Sequence, residues 1–160
     1  MESEAGKNRK VFDVNALAIF LVADHPGNKY LSPIIREGLR GAYIPVLMDI
    51  LPVRAFWIMT KRWGCPKKES VEAIEHFVKA YDRPQYSCLQ KQTILESFKL
   101  AKRLGHDVFD CIYLAFALQE DANAIITTDT DFESLCKAVG LGYVNPVPKE
   151  ALSRFKEKNK

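Results

Sequence analysis

Two kinds of segment alternate along this 160-residue chain, and that alternation limits the fold more than any other feature. One kind is a short apolar run, as in Lys10-Val11-Phe12-Asp13, Ala42-Tyr43-Ile44, Ala124 to Thr128 and Gly142-Tyr143-Val144. The other is a longer stretch with apolar residues three or four apart, the period of a helix with one packed side. Short apolar runs without polar alternation suit strands buried on both faces, and the intervening helices supply the cover. The expected class is α/β, a central short parallel β-sheet flanked by helices.

The spacing predicts helices over 15–23, 30–39, 45–63, 70–81, 89–104, 107–119 and 132–138. Pro45 suits the first turn of the long third helix, and Gly64 with Pro66 suits its end. Pro52 within it predicts a kink. Val71, Ile74, Phe77, Val78 and Tyr81 form one apolar face, and Ile94, Leu95, Phe98 and Ala101 another. Trp57, Trp63 and Tyr81 fall at helical spacing as core or interface residues.

The chain length fits one domain, with a core over about 11–146 and a charged, frayed or mobile tail over 149–160. Its 48% hydrophobic and 27% charged residues are those of an ordinary globular protein. A net charge of +3 tolerates a polyanionic partner without demonstrating one. The polar start, Met1 to Lys10, has no signal-peptide pattern, and Ala16 to Ala23 is too short to span a bilayer. A cytoplasmic protein with no membrane association is expected. Cys65, Cys88, Cys111 and Cys136 are widely spaced and read as free thiols, the last two on apolar helix faces.

The placement of the aspartates carries the chemistry. Asp13 ends the first strand, and Asp129 and Asp131 follow the strand Ala124 to Thr128. In open α/β sheets, ligands bind at that carboxyl edge. Asp110 opens an otherwise apolar helix, and Asp49 lies in the helix after the second strand. Taken singly, each has a plain structural reading. Asp13 could cap a helix, Asp129-Thr130-Asp131 could form a turn, and Asp49 could be a surface residue. Asp107 is read as the cap of the helix that holds Asp110.

Together the motifs resemble PIN-domain nucleases. Phe12-Asp13-Val14-Asn15-Ala16-Leu17 resembles their opening D-x-N, and Val108 to Ala117 their apolar helix beginning with an aspartate. Ile125 to Phe132 resembles their T-x-D-x-D-F signature. The resemblance covers roughly 11–146 and implies a three-layer sandwich. It implies Asp13, Asp110 and Asp129 as metal ligands, Asp131 as an outer member, and Asn15 and Thr127 as orienting groups. The family's glutamate after the second strand is matched best by Asp49. The chain is similar in size to VapC-type toxins of VapBC pairs, which implies an RNA substrate, a VapB-like antitoxin and a homodimer.

Clustered carboxylates repel one another until a hard cation joins them, so Mg²⁺ or Mn²⁺ is the expected ion. With no histidine or cysteine near these motifs, zinc is disfavoured. The expected reaction is hydrolysis of an RNA phosphodiester by metal-held water. Lys61, Arg62, Lys67, Lys68, Lys99, Lys102 and Arg103 are either solvated helix-ending charges or phosphate contacts. Two alternatives stand beside this reading. One is a catalytically silent PIN fold that binds RNA or protein; the other is a phosphoacceptor domain, which lacks a convincing phosphate-binding lysine.

Overall fold

In the computed structural model, which describes residues 8–158, five parallel strands form one sheet in the order β3-β2-β1-β4-β5. They are β1 (Arg9–Phe12), β2 (Ile44–Met48), β3 (Gln85–Ser87), β4 (Ala124–Ile126) and β5 (Gly142–Val144). Helices α1 (Val14–Leu21) and α2 (Asn28–Leu39) join β1 to β2. Next come α3 (Leu51–Trp57), continued by a π-helical turn over Ile58–Arg62, and α4 (Lys67–Ala80). Helices α5 (Lys91–Leu104) and α6 (Val108–Gln119) lead to β4, α7 (Phe132–Val139) leads to β5, and α8 (Lys149–Lys158) closes the chain.

Strand order and handedness together set the layers. From β1 the chain steps to β2 and β3, then returns past β1 to β4 and β5. Right-handed crossovers therefore put α1 to α4 on one face of the sheet and α5 to α7 on the other. The packing agrees: α1 touches α2 and α3, whereas α6 touches α5, α7, β1 and β4. This is the three-layer α/β sandwich expected from the sequence. Val11 and Phe12, neighbours on β1 and so on opposite faces, are both fully buried. Truncating Phe12 to alanine would cost about 3–5 kcal/mol. No helix among the described residues is long and apolar enough to cross a membrane.

The second strand departs from expectation. Pro45 does not open a helix; it lies inside β2, in register with Lys10. The Ile44 N–H donates to Asn8 O on the β1 side, so strand alternation turns Pro45 the other way. There β3 has not begun, since its register starts at Val46↔Gln85, and no ladder bond is lost. Pro52 stands in the first turn of α3 and makes no kink. Strand β3 itself carries no apolar signal: Gln85-Tyr86-Ser87 is a short, polar edge strand.

Helix α5 is turned opposite to its apolar pattern. Its buried residues are Thr93, Ser97 and Leu100, while Ile94, Leu95 and Phe98 are exposed. Thr93 donates to Gln119 Oε1, and Ser97 to its own helix at Ile94 O, so small satisfied hydroxyls face α6. Val71 and Val78 of α4 are likewise exposed, and Trp57 is 55% exposed, outside the core. The charged tail is α8, with Ala151 buried and Phe155 edge-on to His25 at 4.7 Å. A Cβ at Gly27 would lie 2.7 Å from the tip of the Phe155 ring, so a larger residue there would displace that ring. Residues 1–7 and 159–160, the polar start and the last of the tail, lie outside the described residues.

Candidate active site

The connections leaving β1 and leaving β4 run in opposite directions, which opens a crevice at the carboxyl ends of these two neighbours. The ladder runs one residue past each strand: Asp13 N–H donates to Ile126 O at 3.2 Å, and Thr127 N–H to Val144 O at 3.1 Å. The side chains of Asp13 and Thr127 then meet in the crevice. Asp13 caps α1, with Oδ1 accepting from the Ala16 N–H at 2.7 Å and Oδ2 from the Thr127 hydroxyl. Thr127 Oγ1 in turn accepts from the Asp129 N–H at 3.0 Å. A relay of donors thus ties the β4 turn to the β1 carboxylate.

Asp13 is only 2% exposed. Burial pushes its carboxyl up to about 7, with Asp129 and Asp110 adding repulsion, although the Thr127 and Ala16 donors oppose the shift. Asp110, in the first turn of α6, is also raised by burial and by the Asp129 charge. One turn along, the Tyr113 hydroxyl accepts from the Val14 N–H at 3.3 Å. Burial and the charge of Asp13 push that hydroxyl up, and Arg54 partly offsets them. Asp129 Oδ1 accepts from the Asp131 N–H at 3.0 Å, which fixes the turn before α7.

Asp13, Asp110, Asp129 and Thr127 are therefore brought together. Asn15 sits one residue into α1 and makes no hydrogen bond to these carboxylates among the described residues; it faces a groove shared with Arg54. Asp49 is not on a helix. It is exposed in the turn between β2 and α3, where its N–H donates to Ser87 O and extends the β2–β3 ladder. The carboxylates that act on Asp13 are Asp129 and Asp110. Arg54 is the sole charged residue of α3.

His106 was missed by the motif reading and corrects it. It lies one helical turn before Asp110, in the middle of the α5–α6 link, with Nδ1 3.4 Å from Asp110 Oδ2 and Nε2 4.0 Å from Asp131 Oδ2. Its Nδ1 is buried without a hydrogen-bond partner. His106, Asp110 and Asp131 each present one ligand atom within 4.8 Å of the others. A histidine thus does stand beside two of these carboxylates, and a nitrogen ligand is within reach of an ion bound there. The i, i+4 spacing of His106 and Asp110 was the available signal. Asp107 caps α6 as read, accepting from the Phe109 N–H at 2.7 Å.

Residues 10–138 match the PIN domain family. The fold is similar to that of the sarcin-ricin-loop-cleaving toxin VapC20 of Mycobacterium tuberculosis, at 11% identity and a TM-score of 0.63. That match covers 79% of this chain and 94% of the other. It is also similar to VapBC2 of Rickettsia felis, solved bound to a DNA fragment from its promoter, at 13% identity and a TM-score of 0.63. Here 86% of this chain and 98% of the other are covered. At such identities the likeness is one of fold. No curated protein matches the chain significantly.

Proposed function

Because this chain belongs to the PIN domain family, we propose that it is a metal-dependent endoribonuclease of the VapC toxin kind, with Asp13, Asp110 and Asp129 holding its ion. The observation that carries this reading is the burial of Asp13 beside two further carboxylates. An ionised carboxylate in such a place is costly unless a cation joins it. A divalent cation bound there supplies charge stabilisation and an activated water for in-line attack on a phosphodiester. The chain's own residues do the positioning. Thr127 and the Ala16 N–H hold the Asp13 carboxylate, and Asp131 fixes the turn that presents Asp129. At Asp110 the ion would also have His106 within reach, a nitrogen ligand that favours Mn²⁺ over Mg²⁺.

The partners follow from the same reading: an RNA substrate, and an antitoxin protein of the VapB kind covering the crevice. The outward Ile94, Leu95 and Phe98 of α5 are the face we assign to the homodimer, since contiguous exposed apolar surface marks a contact. Phe98→Glu should turn a sedimenting dimer into a monomer with an unchanged circular dichroism spectrum. The central test is incubation of single-stranded RNA with Mn²⁺ or Mg²⁺. Cleavage should vanish in Asp13→Asn and Asp110→Asn; cleavage surviving both would remove the proposed site.

One observation favours the silent-module alternative: α3 carries no acidic residue and Asp49 stands outside the cluster. The absence of cleavage, together with no thermal shift on adding Mn²⁺, would decide for it, because a ligand bound only to the native state must stabilise that state.

A further inference from the structure

Beside Asp13, on the α1–α3 side, lies a groove of about 360 Å³ lined by Val14, Asn15, Arg54, Trp57, Ile58 and Arg62. Its floor is apolar, with Val14 and Ile58 buried, and its walls carry two cations and no acid. Arg54 and Arg62 are exposed, and so is most of the Trp57 ring. An exposed tryptophan between two arginines has no role in the core.

The local backbone explains how these residues share one face. Arg54, Ile58 and Arg62 are four apart, a spacing that drifts slowly round a regular α-helix. The helix widens over Ile58–Arg62 into a π turn, closed by the Trp63 N–H donating to Ile58 O at 3.1 Å. The wider turn retards the winding and keeps Arg62 in line with Arg54. Single π turns inside α-helices recur at functional sites. Arg54 also lies near enough for its charge to act on the Tyr113 hydroxyl, which holds the N–H of Val14 next to Asp13. The groove thus borders the crevice at Val14, the residue after Asp13.

We propose that this groove is the subsite for a single-stranded segment of RNA next to the cleaved bond, with Arg54 and Arg62 on consecutive phosphates and Trp57 stacked on an unpaired base. The proposal rests on the nuclease reading above and names the form of its substrate. Two cations lining a groove with no acid fit a polyanion and not an acidic metal site. The aromatic ring fits a base only when that base is unstacked, so a loop or a free strand enters and a duplex does not. Stacking tolerates any base, so the groove sets strand form and not sequence.

Binding of a fluorescein-labelled single-stranded oligoribonucleotide to the metal-free full chain, in EDTA and across a salt series, tests this directly. Trp57→Ala should weaken binding roughly five- to hundredfold, and Trp57→Phe should keep most of it. Arg54→Ala and Arg62→Ala should each flatten the salt slope by about 0.7, the share of one single-strand phosphate. RNA should quench tryptophan emission in the wild type and not in Trp57→Phe, where only Trp63 remains. A duplex of the same sequence should bind at least about tenfold more weakly. Unchanged affinity, slope and quenching in all these variants, with wild-type cleavage intact, would overturn the subsite and leave the nuclease reading standing. Failure of the wild type both to bind and to cleave RNA would overturn the two together.

Discussion

Two aspartates hold the same nominal position, each one residue beyond a strand and just before a helix, yet their surroundings differ. Asp13 after β1 is buried, caps α1 and is held by Thr127. Asp49 after β2 is exposed, and only its backbone is engaged, by Ser87 O of β3. The sheet explains the difference. β1 and β4 are neighbours whose connections run opposite ways, so a crevice opens between their ends. β2 lies between β1 and β3, and its connections continue in one direction with no such opening. A carboxylate at a strand end becomes a candidate ligand by standing at the switch point, and strand-end position alone does not suffice.

The largest expected effect tests this contrast head on. Asp13→Asn should reduce RNA cleavage by more than about 100-fold, beyond the 10- to 100-fold typical of a group that only orients a ligand. Asp49→Asn should stay within about threefold of the wild type. Single-turnover cleavage of one RNA by both variants, at saturating Mn²⁺, measures the pair. A larger loss at Asp49 would restore it as the fourth acid and break the comparison. Next in size, Thr127→Val keeps the shape of the side chain and deletes the donor to Asp13. Its cleavage rate should fall about 10- to 100-fold, with Mn²⁺ affinity falling alongside.

The same contrast has a pH signature in the metal-free protein. The Asp13 carboxyl moves from an ordinary 3.8 to about 7 on folding, so between those values the native state binds more protons than the unfolded one. Stability must then fall as pH rises through that interval, with no contribution below it and the full loss above it. At about 1.4 kcal/mol per unit, the loss is on the order of 4 kcal/mol. Urea denaturation in EDTA at pH 4, 5.5 and 7.5 should display it. Asp13→Asn should flatten the profile and Asp49→Asn should leave it sloping. Equal slopes in wild type and Asp13→Asn would show that burial of this carboxyl does not govern the profile.

Much of the architecture was legible in the sequence because it rests on burial. Strands β1, β4 and β5 are short apolar runs. What escaped was set by tertiary context. Gln85-Tyr86-Ser87 becomes a strand only because β2 offers an edge, and Ile44 to Met48 is too uniformly apolar for its period to reveal a strand. The α5 stripe pointed the wrong way because Thr93 and Ser97 let α6 approach closely, a preference hydropathy does not record. Within the candidate site, the ordered Asp13, Asp110 and Asp129 were legible as motifs. His106 belonged to no motif, and Arg54 gained its place only from the path of α3 and its π turn.

The smallest effect expected is one of reactivity, and two cysteines report on the two junctions without disturbing either. Cys111 follows Asp110 and is fully buried; burial and the charges of Asp110 and Asp107 push its thiol up. Cys88 follows Ser87, whose carbonyl receives the Asp49 N–H, and it is exposed. Thiolate is the reactive form, so an aromatic disulfide reagent at neutral pH should label Cys88 in the native protein and reach Cys111 only on unfolding. Cys136 behaves as a second internal standard, since burial pushes its thiol up to about 11. The decisive comparison is the labelling of Cys111 with and without Mn²⁺. If the crevice binds the cation, the ion holds Asp110 and slows any local opening of the first turn of α6, so the slow Cys111 rate should drop further. Cys88, beside a junction with no proposed ligand, should label at the same rate in both conditions. Protection of Cys88 and not of Cys111 would move the cation to the β2 junction and invert the contrast between Asp13 and Asp49.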